Sequence, residues 1–131
     1  MAQGDILIVD DGPEVVALLE ELLQEEGYTT RSATDGPTAL AALQAGRPDL
    51  VLLDFHLPGM TGLQLLKAAN ALGLEMGPVI LITASSPPML PRRLTGIVEC
   101  VFKPFDIEAL LACIALWLRA GAADDSPPLD V

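Results

Sequence analysis

Basic residues are scarce in this sequence. Seven Lys and Arg stand against 18 Asp and Glu, with a single His, for a formal net charge of −11 at pH 7. Nucleic-acid and anionic-lipid surfaces both need clustered Lys and Arg, so neither is an expected direct partner. Aromatics amount to only 4% although 51% of the chain is hydrophobic, so Leu, Val, Ile and Ala must build the core. Cysteines number two, Cys100 and Cys113, each among apolar neighbours. That excludes a disulfide framework or a cysteine metal site and leaves small buried hydrophobes in a reducing compartment. Runs of about 18 apolar residues, the length that spans a bilayer, are missing. The greasiest stretch, Ile107 to Leu118, suits a soluble helix. Met1 to Asp5 lacks a basic region followed by an apolar one, so no signal peptide and a cytoplasmic location are expected.

What is present is an alternation. The 131 residues provide one domain's worth of core. Ile6 to Val9 is a short apolar run ending in Asp10-Asp11; Pro13 then opens a helix that Gly27 closes. Tyr28 to Ala33 reads as a second strand, and Pro37 to Ala45 as a second helix. Leu50 to Leu53 is apolar on consecutive residues, the mark of a strand buried on both faces. The turn Pro58-Gly59-Met60-Thr61-Gly62 leads to a helix from about Leu63 to Leu72. Val79 to Ile82 is a fourth strand ending in Thr83, and Val98 to Phe102 a fifth ending in Lys103. Asp106 is read as the cap of a last helix running to about Arg119. Five β-α repeats imply an α/β fold, a doubly wound five-stranded parallel sheet with helices on both faces. Residues 1–120 are read as the domain and 121–131 as a linker-like or disordered tail.

Such sheets bind ligands beyond the carboxyl ends of their strands. Asp10 and Asp11 follow the first strand here, Asp54 the third, Thr83 and Ser85 the fourth, and Lys103 the fifth. Three clustered carboxylates repel one another, so a pKa rises unless a cation intervenes. A hard divalent ion, Mg²⁺ with retained waters, suits such a partial cage. Beside it an Asp carboxylate can attack a phosphoryl group while the metal and a lysine stabilise the spreading charge. The pattern points to an aspartyl phosphate. The plainer reading of Asp10 or Asp11 is a helix N-cap before Pro13, which is compatible with metal binding.

Val9-Asp10-Asp11, Leu53-Asp54 with Pro58 to Gly62, Thr83-Ala84 and Lys103-Pro104-Phe105 together resemble the receiver domain of two-component response regulators, over about residues 5 to 119. The resemblance implies a flavodoxin-like strand order 2-1-3-4-5 and Asp54 as phosphoacceptor. The donor would be a sensor histidine kinase or a histidine phosphotransfer protein. It further implies Mg²⁺ on Asp10, Asp11, Asp54 and the backbone carbonyl of His56. Lys103 would pair with Asp54 or its phosphoryl group, Thr83 would supply a hydroxyl to it, and the Lys103-Pro104 bond would be cis. His56, Ala84 and Ser85 would be the positions that modulate phosphoryl lifetime.

The sequence departs from that family on the side that reads the signal. Receivers carry Tyr or Phe three residues before the lysine, and Cys100 occupies that switch position here, with Phe102 expected on the opposite face of the strand. Pro87, Pro88 and Pro91 break the segment between Thr83 and Lys103, allowing at most a short helix around Leu90 to Leu94. On the last helix Ile107, Leu110, Leu111, Ile114 and Leu118 are expected to face the core. Cys113, Leu116 and Trp117 would then point partly outward, toward a partner or a second copy. Two other readings compete: a degenerate receiver acting only through its surfaces, and an aspartyl-phosphate-forming phosphohydrolase. Such hydrolases want a second Asp two residues after the nucleophile, where this sequence has His56.

Overall fold

A computed structural model describes residues 4–84 and 96–123. Strand β1 (Asp5–Val9) leads into helix α1 (Pro13–Glu25), and β2 (Thr29–Ala33) into α2 (Gly36–Ala45). After β3 (Leu50–Asp54) comes a small hairpin, β4 (His56–Leu57) and β5 (Met60–Thr61), and then α3 (Gly62–Ala71). Strands β6 (Val79–Thr83) and β7 (Ile97–Phe102) and helix α4 (Ile107–Ala123) complete the described elements. The main sheet is parallel throughout, in the order β2-β1-β3-β6-β7. That is the expected 2-1-3-4-5 order, with the hairpin inserted.

Strand alternation divides the core in two. Leu7, Val9, Val51, Leu53 and Leu81 point to the side covered by Ala39 and Leu43 of α2 and Leu65, Leu66 and Ala69 of α3. Ile6, Ile8, Leu50, Leu52, Ile80 and Ile82 point to the other, against Val16, Leu19 and Leu23 of α1 and Leu110 and Ile114 of α4. Every residue of β3 and β6 is buried, which explains why those segments lack polar alternation. Each such Leu or Ile contributes about 1.5–3 kcal/mol by leaving water. One half-buried cation braces the far end of the sheet. The Arg31 guanidinium pairs with Asp5 at 2.7 Å and donates to the Ala42 and Gly46 carbonyls at the end of α2, at 2.8 and 3.0 Å.

Several local expectations change. Helix α3 starts at Gly62, because the Thr61 hydroxyl accepts from the Gln64 amide and the Gln64 side-chain oxygen accepts from the Thr61 amide. Helix α4 continues past Arg119 to Ala123. On α4, Cys113 and Trp117 pack against the α1 side of the core, and the Trp117 indole donates to Glu99 Oε1 at 3.3 Å. Each lies three residues after a buried residue, Leu110 or Ile114, and so borders the core stripe. Of the outward apolar face expected there, Leu116 is the large side chain that stands exposed, at 56%. Phe102 does not oppose Cys100. An interval of two returns a strand to the same side, where Cys100 packs on the α2–α3 core and Phe102 lies 51% exposed. The short helix expected around Leu90 to Leu94 and the position of Ser85 fall outside the described residues. No helix among the described residues is long and apolar enough to cross a membrane.

Candidate functional site

The chain reverses direction of travel across the sheet between β1 and β3, so the crevice beyond their carboxyl ends is where this architecture can receive a ligand. Asp10 and Asp11 leave β1 there and Asp54 ends β3. Carboxylate oxygens of all three lie within 4.8 Å of one another. Asp10 and Asp54 are buried, at 3% and 4% exposure, while Asp11 is open to solvent. Lys103, arriving from β7, places Nζ 3.5 Å from Asp10 Oδ2 and 3.6 Å from Asp54 Oδ2. Its backbone is fixed by its amide donating to the Thr83 carbonyl at 2.8 Å, and the Lys103-Pro104 bond is cis. Thr83 is fully buried at the end of β6, opposite Phe102 in register.

Asp10 and Asp54 each have one carboxylate oxygen tied by a backbone amide and the other turned to Lys103. Asp10 Oδ1 accepts from the Gly12 amide at 2.8 Å, and Asp54 Oδ1 from the His56 amide at 3.4 Å. Asp10 Oδ2 is buried without a hydrogen bond. The N-cap of α1 is Gly12, with no side-chain capping bond, so neither aspartate caps that helix. Burial pushes the Asp54 carboxyl above its ordinary value, the nearby Asp10 adds to the rise, and Lys103 partly opposes it. The expected rise is therefore there, with desolvation a larger cause than repulsion. Among the described residues three carboxylates share the site with the Lys103 ammonium, and the buried Asp10 Oδ2 accepts no hydrogen bond. That set fits a hard divalent cation bound through oxygen.

The remaining positions lie around this centre. His56 is exposed, its ring edge-on to Phe55 with centroids 5.0 Å apart. Ala84 is exposed at one end of an open, largely apolar groove of about 590 Å³. Val15 and Leu18 of α1 form one wall, and Lys103, Pro104, Phe105 and Ile107 the other. Cys100 sits lower on β7, opposite Leu81, partly buried against the core. Burial, and after it the Glu99 carboxylate, raises the pKa of both Cys100 and Cys113.

Two features escaped the sequence reading. The groove combines three distant segments, and no local pattern announces it. Gly62 passes for a turn residue, yet it starts α3 against the backbone of Asp54. The Thr61-x-x-Gln64 spacing, that of a capping box, was the available signal for the helix start.

A doubly wound sheet with this carboxylate, hydroxyl and ammonium set at its switch point defines a phosphoacceptor signalling domain of the two-component kind. The chain belongs to the response regulator receiver domain family, whose model matches residues 6–115. It is 39% identical over 123 residues to the uncharacterized transcriptional regulatory protein YkoG of Bacillus subtilis, covering 91% of this chain and 53% of that protein. Sporulation initiation phosphotransferase F of the same bacterium is 34% identical over 119 residues, covering 90% of this chain and 96% of that protein. Among solved structures, the response regulator TrrA from Thermotoga maritima in complex with Mg(2+)-BeF superposes with a TM-score of 0.74 at 35% identity. That match covers 86% of this chain and 97% of TrrA. The chain spans about half the length of the first curated relatives it matches.

Proposed function

We propose that Asp54 accepts a phosphoryl group from a phosphohistidine on a sensor histidine kinase or histidine phosphotransfer protein. The observation that carries this reading is the Lys103 ammonium shared between Asp54 and Asp10, whose buried Oδ2 has that ion pair but no hydrogen bond. In the reaction a carboxylate oxygen of Asp54 forms a bond to phosphorus as the phosphorus–nitrogen bond of the donor breaks. Mg²⁺ held by Asp10, Asp11, Asp54 and the His56 carbonyl would neutralise charge on the phosphoryl oxygens. Lys103 follows the new negative charge, and the Thr83 hydroxyl donates to it. Water later attacks the aspartyl phosphate and returns orthophosphate, so the domain catalyses only its own phosphorylation and dephosphorylation. His56 and Ala84 border the site and modulate the phosphoryl lifetime, and Ser85, the third modulating position of the sequence, lies outside the described residues. Cys100 holds the switch position.

The apolar groove beside the site supports the partner assignment. Val15, Leu18, Pro104 and Phe105 offer a strip for the apolar face of a helix. The exposed Glu14, Glu21 and Glu25 of α1 favour basic flanks on that helix. This reading extends the receiver unit from the expected boundary at residue 120 to the end of α4 at Ala123, with the unit operating in the cytoplasm. A homodimer or partner contact through α4 then rests on Leu116, flanked by Cys113 and Trp117.

Beryllofluoride with Mg²⁺ mimics the bound phosphoryl group and tests the site. It is expected to bind one per chain and raise the melting temperature by mass action, with Asp54→Asn abolishing the shift. A full shift in the mutant overturns the assignment.

A further inference from the structure

The hairpin that carries His56 is clamped at both ends by residues without side chains. Gly36, first residue of α2, lies under Met60, and a Cβ built there would meet the Met60 thioether. Gly62, first residue of α3 and buried, lies against the phosphoacceptor strand. A Cβ there would stand 2.8 Å from the Asp54 carbonyl oxygen and 3.2 Å from Leu53 Cγ and Cδ2. The two contacts differ in kind. A thioether at the end of a flexible side chain can move aside at small cost, whereas the Asp54 carbonyl belongs to a buried central strand and cannot.

The backbone around Asp54 is held from both directions. The Gly62 amide donates to the Phe55 carbonyl at 2.6 Å, and the Phe55 amide donates to Ile82 on β6 at 2.9 Å. Helix α3 cannot slide away to make room, because its start is locked by the Thr61–Gln64 capping box and its inner face by buried Leu65, Leu66 and Ala69. A methyl group at position 62 therefore has to push the Asp54–Phe55 peptide. The Asp54 carboxylate and the His56 amide that binds it move with that peptide.

We infer that Gly62 is a positioning residue: its missing side chain lets α3 abut the Asp54–Phe55 peptide and so sets where the Asp54 carboxylate stands relative to Asp10 and Asp11. The inference rests on the reading of this cluster as the Mg²⁺ and phosphoryl site, and the test separates the two. Mg²⁺, and then beryllofluoride with Mg²⁺, is titrated calorimetrically into the wild-type domain and into Gly62→Ala and Gly36→Ala. Wild-type binding tests the site; without it the reading itself falls. Given that binding, Gly62→Ala is expected to bind Mg²⁺ at least tenfold more weakly while still unfolding cooperatively, and Gly36→Ala to bind within twofold of wild type. A Gly62→Ala protein that loses thermal stability but binds both ligands as wild type does overturns the inference, because the glycine is then only structural. Should Gly62→Ala not fold, NMR on the wild type decides the matter. The Gly62 amide resonance is expected to shift along the same Mg²⁺ titration curve as that of His56, and a stationary Gly62 signal overturns the inference.

Discussion

Lys103 Nζ stands 3.5 Å from Asp10 Oδ2, the buried carboxylate oxygen that receives no hydrogen bond. The ammonium is thus the counter-ion of the metal-free site, and it lies where a divalent cation would compete for the same oxygen. Lys103→Met is expected to bind Mg²⁺ more tightly, by roughly fivefold or about 1 kcal/mol, since a like charge near the ion is removed. Without metal the same variant melts below wild type, because Asp10 and Asp54 lose their compensating charge. Calorimetric titration with Mg²⁺ and thermal melts in EDTA check both; weaker Mg²⁺ binding contradicts the competition.

Asp54 makes the fold respond to pH. Burial holds its carboxyl above the ordinary value of 3.8, so the folded state takes up a proton at this group that the unfolded chain has already lost. The associated stability is fully present below the unfolded pKa and is lost as pH rises through the higher folded value. An asparagine stays neutral throughout. In EDTA, Asp54→Asn is therefore expected to melt above wild type at pH 7, with the gap closing as pH falls toward 4. A gap that widens on acidification contradicts the burial argument.

Leu18 is 48% exposed on the wall of the apolar groove, so removing it costs the fold little, within about 0.5 kcal/mol. Leu18→Ala is expected to slow phosphoryl transfer from a phosphohistidine protein about tenfold, the range of one lost interface anchor. Transfer from a small donor such as acetyl phosphate is expected to stay at the wild-type rate. Equal losses with both donors would place Leu18 outside the docking surface.

Much of this was legible in the residues. Leu50 to Leu53 and Val79 to Ile82 announce central strands because burial on both faces erases polar alternation. Asp54 and Thr83 stand out as the polar residues that end those runs, and Lys103 follows the edge strand β7. The hairpin His56–Leu57 and Met60–Thr61 was not legible, since strands of two residues carry no periodicity. Cys113 and Trp117 misled because residues at the border of a helical stripe look outward until the sheet beneath shows how wide the core is. Gly62 was opaque for a different reason. A glycine's neighbours are set by tertiary packing, and Asp54, whose carbonyl it abuts, is eight positions away.

The central claim is tested most directly by locating the phosphoryl group. The domain is incubated with Mg²⁺ and a phosphorylated histidine kinase or acetyl phosphate, and the acyl phosphate is reduced with borohydride and mapped by mass spectrometry. The account predicts one modified residue per chain, Asp54, with no labelling in EDTA and none in Asp54→Asn. Labelling of Asp10, Asp11 or His56 instead, or an Asp54→Asn protein labelled to the wild-type level, contradicts it.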